Sequence, residues 1–190
     1  MIFFPYCFYF TWISFDHARH FEVVTDSICK SLARISIFHP IVYFTDAKNC
    51  AHKYNSGERS SGVYSINPDG SGAFNVFCDQ TTAGGGWTVF QKRLDGSVDF
   101  YLNWTNYKTG FGSLNGEFWL GLDRIHRLTN SSNNKLRVDL EDMSGNTAYA
   151  EYSVFTVGND ATKYQLNVNN YSGKFSLRSF QNACASRLKN

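Results

Sequence analysis

The chain has 190 residues, which at roughly 150 residues per domain makes one globular domain with a modest extension and argues against repeat arrays and multi-domain enzymes. Hydrophobic residues make up 43% and charged residues 18%, enough apolar material for a core and too little charge for a disordered segment. Net charge is +2, from 18 basic against 16 acidic side chains, and no dense run of Lys or Arg is present to track a phosphate backbone, so no nucleic acid is expected as a partner.

The first 47 residues differ from the rest. Eight of residues 1–15 are aromatic, while all 15 Gly lie at or after Gly57 and every Asn at or after Asn49. A boundary is expected near residue 47. Residues 2–15 are an uncharged apolar stretch of fourteen, shorter than the roughly 20 residues of a bilayer-spanning helix, so no membrane span is expected. The length suits a signal-peptide core, but no basic residues precede it and no small-x-small site follows, so a buried or mistranslated segment is an equal reading. Ile28, Leu32 and Ile35 fall at i, i+4 and i+7 and suggest a short amphipathic helix. Neither sustained heptads nor a Gly-X-Y run is visible, so the chain shows no device for a trimerising stalk.

Beyond the boundary the punctuation is that of an α+β domain. Residues 63–66 read as a strand that runs into Asn67-Pro68-Asp69-Gly70, where Pro presets φ and Gly accepts a positive φ, and residues 73–78 return as its partner. Residues 88–94 form a strand behind Gly84-Gly85-Gly86, which lets backbones approach closely, and Trp87 supplies core volume. Asn115 is expected to cap a helix ending near Leu128, with Glu117 in its first turn and Phe118, Leu122 and Ile125 on one face. Leu136, Val138 and Leu140 alternate with Arg137 and Asp139; the turn Ser144-Gly145-Asn146 follows, residues 148–157 pair back, and Tyr164, Leu166 and Val168 repeat the alternation.

Enzyme signatures are missing. There is no Gly-x-Ser-x-Gly elbow, phosphate loop, His-Glu-x-x-His or Cys-x-x-Cys. His17 and His20 are two nitrogens without the further ligands a zinc site needs and read as surface residues. Asp139, Glu141 and Asp142 suggest a carboxylate cluster, but strand alternation puts Asp139 and Glu141 on the solvated face of a hairpin. Five Cys are present. Cys50 and Cys78 bracket the first hairpin, and a bridge between them would staple it at roughly 3 to 4 kcal/mol; two buried thiols are the alternative, and Cys7, Cys29 and Cys184 have no evident partner. Three Asn-x-Ser/Thr sequons begin at Asn103, Asn130 and Asn170. Asn130 ranks first because it falls in the polar stretch 129–134, whereas Asn103 adjoins Trp104, expected to be buried.

The run Gly84-Gly85-Gly86-Trp87-Thr88-Val89-Phe90-Gln91, then Asp95-Gly96-Ser97, Phe100, Trp104, Tyr107, Gly110-Phe111-Gly112 and Gly116-Glu117-Phe118-Trp119-Leu120-Gly121, resembles the fibrinogen C-terminal domain family. The likeness runs from about Asn49 to Gly173 and includes Asn55-Ser56-Gly57, Gly62-Val63-Tyr64, Leu140-Glu141-Asp142 and Asn146-Thr147-Ala148-Tyr149 in family order. It implies a short N-terminal hairpin subdomain stapled by the family's first disulfide, matched by Cys50 and Cys78, plus a mainly antiparallel central sheet with flanking helices. It also implies a secreted, non-catalytic recognition module, as in ficolins, tenascins and angiopoietins, with an extracellular protein or glycan ligand.

The chain therefore divides into an unmatched segment 1–47, a partial fibrinogen C-terminal domain 48–173 and an unmatched tail 174–190. Family members continue after Tyr171-Ser172-Gly173 into a calcium loop and a second disulfide that frame the ligand pocket. Residues 174–190 carry four basic and no acidic side chains, so that subdomain is expected to be missing, with no calcium or other cofactor. A truncated or misjoined product that binds nothing specific is the alternative, and an enzyme is the least favoured reading.

Overall fold

The structure, a computed structural model, describes residues 9–16, 46–142 and 145–173. The expected helix around Ile28 to Ile35, the pair His17 and His20, Cys7, Cys29 and Cys184, and the tail from residue 174 lie outside the described residues.

The first strand, β1 (Tyr9–Asp16), comes from the aromatic N-terminal stretch. Helix α1 (Cys50–Asn55) follows the boundary, capped by Asn49, whose side chain accepts from the His52 N–H at 3.0 Å. Strands β2 (Gly62–Ile66) and β3 (Phe74–Asp79) form the hairpin, with Ile66 opposite Phe74. Its connection is longer than a tight turn. Gly70 and Gly72 both take positive φ, and the Asp69 side chain accepts from the Ser71 N–H at 2.9 Å.

A short 3-10 turn (Thr82–Gly84) leads into β4 (Trp87–Lys92). The close approach expected of the glycine run occurs at Gly85, where an added Cβ would stand 2.4 Å from the Gln80 carbonyl oxygen and 2.6 Å from the Tyr54 ring. Trp87 is buried and donates from Nε1 to the Thr82 carbonyl at 2.8 Å.

Then come α2 (Trp104–Thr109), the two-residue strands β5 (Phe111–Gly112) and β6 (Phe118–Trp119), and α3 (Leu122–Asn130). The expected helix from Asn115 is corrected here: residues 118–119 pair with β4 and β5, and the helix starts only at Leu122. Gly121 fixes that start. It lies at φ 103°, and a Cβ on it would meet the Thr109 carbonyl at 2.6 Å, so the chain turns against the end of α2 before the helix begins. Leu122, Ile125 and Leu128 then bury one face, as their spacing requires.

Strands β7 (Lys135–Glu141), β8 (Thr147–Val157) and β9 (Leu166–Gly173) complete the sheet as an antiparallel meander. Tyr164 does not belong to the last strand. It is buried with φ 53° after a second 3-10 turn (Asp160–Thr162), and its hydroxyl donates to Asp123.

The sheet order is β2-β3-β4-β1-β7-β8-β9, antiparallel throughout, with β5 and β6 beside β4. Ile66, Val76, Val89, Phe118, Leu120, Ile125 and Phe155 form the core between the sheet and α3. Aromatic contacts extend it. Phe90 packs edge-on to Trp119 at 5.8 Å and stacks on Phe155 at 5.7 Å, and Tyr107 meets Phe111 at 5.1 Å.

Candidate recognition loop and modification sites

The most ordered polar feature is built on Glu117. A lone carboxylate at the head of the apolar run Phe118-Trp119-Leu120 that is carried into the interior must find internal partners or cost several kcal/mol. It is 1% exposed. Its Oε1 accepts from the N–H groups of Leu94 at 2.6 Å, Asp95 at 2.8 Å and Gly96 at 2.9 Å, and its Oε2 accepts from Val98 N–H at 2.9 Å and from the Arg93 guanidinium. Burial alone would raise the Glu117 pKa, but the N–H groups of Val98, Gly96, Leu94 and Asp95 outweigh it and hold the carboxyl below its ordinary value. The loop 93–98 is thereby fixed around one buried anion.

The segment leaving that loop is fixed as well. Arg93 stacks over Phe100 at 4.7 Å, Phe100 meets Phe111 at 4.9 Å, and the Tyr107 hydroxyl donates to the Phe100 carbonyl at 2.8 Å. From this scaffold Leu94 is 41%, Tyr101 92% and Trp104 44% exposed. Large apolar side chains held out by an anchored loop and the helix start that follows it suit protein recognition, because little ordering entropy remains to be lost on binding.

The sequence-derived site residues fall in separate places. Cys50 and Cys78 are joined by a disulfide with Cα atoms 5.4 Å apart, linking α1 to β3. Asn130 is exposed, but as the last residue of α3 and not in a loop. The stretch after it is less open than expected, since Thr129 and Asn134 are buried and the Thr129 hydroxyl accepts from the Val157 N–H at 3.1 Å. Asn130 lines a shallow polar cleft of about 600 Å³ with His126, Ser131, Ser132 and Thr156. Asn103 is exposed and caps α2, its Oδ1 accepting from the Asn106 N–H at 3.1 Å; Trp104 beside it is surface-accessible, which removes the reason for ranking Asn103 lower. Asn170 is exposed on β9 at φ 57°.

The carboxylates of β7 and its turn do not converge. Arg137 binds Asp139 through Nε at 2.8 Å and Nη2 at 2.7 Å, reaches Glu151 through Nη1 at 2.5 Å, and lies 4.3 Å from the Tyr149 ring centre. Asp139 is therefore half-buried in an ion pair, a correction to the expected solvated position, whereas Glu141 is exposed. Asp142 serves its own turn, accepting from the Asn146 N–H at 2.9 Å. Among the described residues no group of three or more His, Cys, Asp or Glu is placed to hold a metal ion.

Two polar clasps had no signature in the sequence. Asp69 in the hairpin connection takes a bidentate pair from Arg127 of α3, at 2.9 Å to Nε and 2.6 Å to Nη2, and Arg127 also donates to the Gly72 carbonyl. The bond from Arg127, then that from the Ser71 N–H, holds the Asp69 carboxyl far below its ordinary value. Burial, then the bond to Asp123, pushes the Tyr164 hydroxyl well above its ordinary value. A charged side chain in a turn and an opposite one in the last turn of an amphipathic helix are too common to mark such a pairing in advance.

A family model described as the C-terminal globular domain of fibrinogen beta and gamma chains matches residues 46–187. The chain is 52% identical over 128 residues to mouse angiopoietin-related protein 7, covering 66% of this chain and 38% of that protein. It is likewise 52% identical over 127 residues to human fibroleukin, covering 66% of this chain and 29% of that protein. It thus spans well under half the length of these relatives. The fibrinogen-like globe domain of human ANGPTL2 superposes with a TM-score of 0.67 at 42% identity, covering 68% of this chain and 61% of that one. A lamprey fibrin D-dimer solved with the peptide ligand Gly-His-Arg-Pro-amide gives a TM-score of 0.64 at 39% identity, covering 67% of this chain and 41% of that one. No helix among the described residues is long and apolar enough to cross a membrane.

Proposed function

The chain belongs to the family of the fibrinogen C-terminal globular domain, a non-enzymatic family of binding and signalling domains, and from that premise we propose that it is a secreted recognition module that binds an extracellular protein through the loop 93–104. The carrying observation is the exposure of Leu94 and Tyr101 on a loop anchored by the buried Glu117, and of Trp104 at the start of α2 that follows it. Recognition of a peptide by the lamprey neighbour makes a protein ligand the favoured class over a glycan. Binding is calcium-independent in this reading, supported by the four basic and no acidic residues in 174–190, a composition without the carboxylates of a calcium loop. In the secretory pathway Asn130 is glycosylated, and the exposure of Asn103 and Asn170 makes them further acceptors.

An array of purified matrix and plasma proteins beside acetylated beads, each with and without chelator, tests this. Capture of a protein ligand that ignores chelator and falls at least ~10-fold in Tyr101→Ala/Trp104→Ala, a change of about 1.4 kcal/mol, is the expected result; unaltered circular dichroism would show the variant folded. Chelator-sensitive capture on acetylated beads would overturn the reading. Failure to capture anything in any arm would favour a truncated or misjoined product that binds nothing specific. Intact mass before and after deglycosylation reads the sequons.

A further inference from the structure

The strand at the centre of the sheet does not come from the part of the chain that the family model matches. That match starts at residue 46, whereas β1 is Tyr9–Asp16. β1 pairs antiparallel with β4, setting Ile13 opposite Gln91, Ser14 opposite Val89 and Phe15 opposite Thr88. It pairs antiparallel with β7 over its whole length, from Tyr9 opposite Glu141 to Asp16 opposite Lys135. In the sheet order it alone stands between β4 and β7.

Removing β1 would leave two facing edges in the middle of the sheet. On its other side β4 is already engaged, by β3 at Trp87 to Val89 and by β6 at Gln91 and Lys92. β7 is likewise engaged by β8 along its other edge. A strand on each side of a missing one leaves a gap of roughly 9 to 10 Å, twice the strand spacing, lined on both walls by backbone N–H and C=O groups that need partners. Such a slot is specific in shape, direction and register.

The occupant has the composition the slot demands. Tyr9, Phe10, Thr11, Trp12, Ile13 and Phe15 are β-branched or aromatic, and the segment contains no Gly or Pro. Between Asp16 and Asp46 lie 29 residues, whose extended contour of roughly 95 Å lets the segment reach the slot of its own chain or that of a neighbour. We propose that the gap between β4 and β7 is a strand-acceptor site, that Tyr9–Asp16 is its donor strand, and that a second copy of this chain supplies the same strand when two molecules exchange.

The experiment uses the full chain with a protease site introduced between residues 17 and 45. After cleavage the N-terminal fragment is expected to stay bound, and a labelled peptide of residues 9–16 to replace it slowly at one per molecule. The same peptide carrying Ile13→Pro should fail to enter, because an interior strand has no spare N–H. Amides of Trp87–Lys92 and Lys135–Glu141 should exchange at least ~100-fold faster once the fragment is washed out with mild denaturant and the protein returned to buffer. Retained fragment in a cleaved monomer places the strand in cis; mixed dimers from two differently labelled full chains place it in trans; either supports the site. Release of the fragment on cleavage with those amides still protected would overturn it, as would entry of the Pro peptide with the parent's affinity.

Discussion

Glu117 shows how one residue can decide local structure against a periodic pattern. Phe118, Leu122 and Ile125 have helical spacing, yet a helix through residue 117 would take its carboxylate away from the four N–H groups that now receive it. Leaving those loop amides without a partner costs more than the helix turn would return. Glu117→Gln keeps the shape but removes the charge and aims an amide NH2 at one of the donors; a loss of about 3 kcal/mol is expected, read by urea unfolding. The pH dependence has a definite sign. The folded pKa lies below the unfolded one, so the stabilisation is complete above the unfolded carboxyl pKa, roughly 4.3, and is lost as pH falls through the folded value. The variant should therefore show a flatter acid limb than the parent. The signal was present in the sequence as a single acidic residue abutting the apolar run 118–120, and its partners were not, because all but one are main-chain groups on a distant loop.

Among elements, the longer strands after residue 60 were legible, whereas the short strand at 118–119 and the junctions were not. Residues 63–66, 136–140 and 148–157 alternate or carry β-forming side chains, and each lies within a strand of the sheet. The start of α3 escaped because Gly121 ends β6 through its close approach to Thr109, a tertiary contact with no local signature. Tyr164 escaped for the same reason, its place being set by Asp123 of α3 and not by alternation. Docking of the hairpin on α3, begun by the shared apolar core, is reinforced by the clasp between Asp69 and Arg127, whose side chains are 31% and 25% exposed. Asp69→Asn should cost about 1 kcal/mol, as for a bidentate but partly solvated pair. Its folded pKa is depressed, so the contribution is present above the unfolded carboxyl pKa of about 3.9 and disappears as pH falls. Thermal melts between pH 7 and pH 2 should show parent and variant converging at the acid end, and a gap of constant size would refute the clasp.

At the scale of the whole molecule the fold hangs together through links that are distant in sequence: β1 between β4 and β7, the clasp on α3, and the bridge from α1 to β3. The antiparallel class of the sheet followed from its hairpins and meander, whereas the insertion of residues 9–16 could not be read locally, since an aromatic-rich stretch serves equally as a signal core or a central strand. The bridge bears most directly on the global balance. Cys50 and Cys78 are fully buried and 28 residues apart, and closing a loop of that length removes about 3.5 kcal/mol of unfolded-chain entropy. α1 has one other deep anchor among its backbone groups, the Cys50 N–H donating to the buried Thr88 hydroxyl at 3.1 Å. That bond survives reduction, so the reduced protein should keep its sheet while becoming easier to unfold. With a denaturant slope of about 2 kcal/mol/M the urea midpoint should fall by roughly 1.5 to 2 M on reduction. Cys50→Ala/Cys78→Ala should fall at least as far, because it also removes buried sulfur from the core. Equal midpoints for the oxidised and reduced parent would show that the unfolded chain is not constrained by this bridge, and the entropic account would fail.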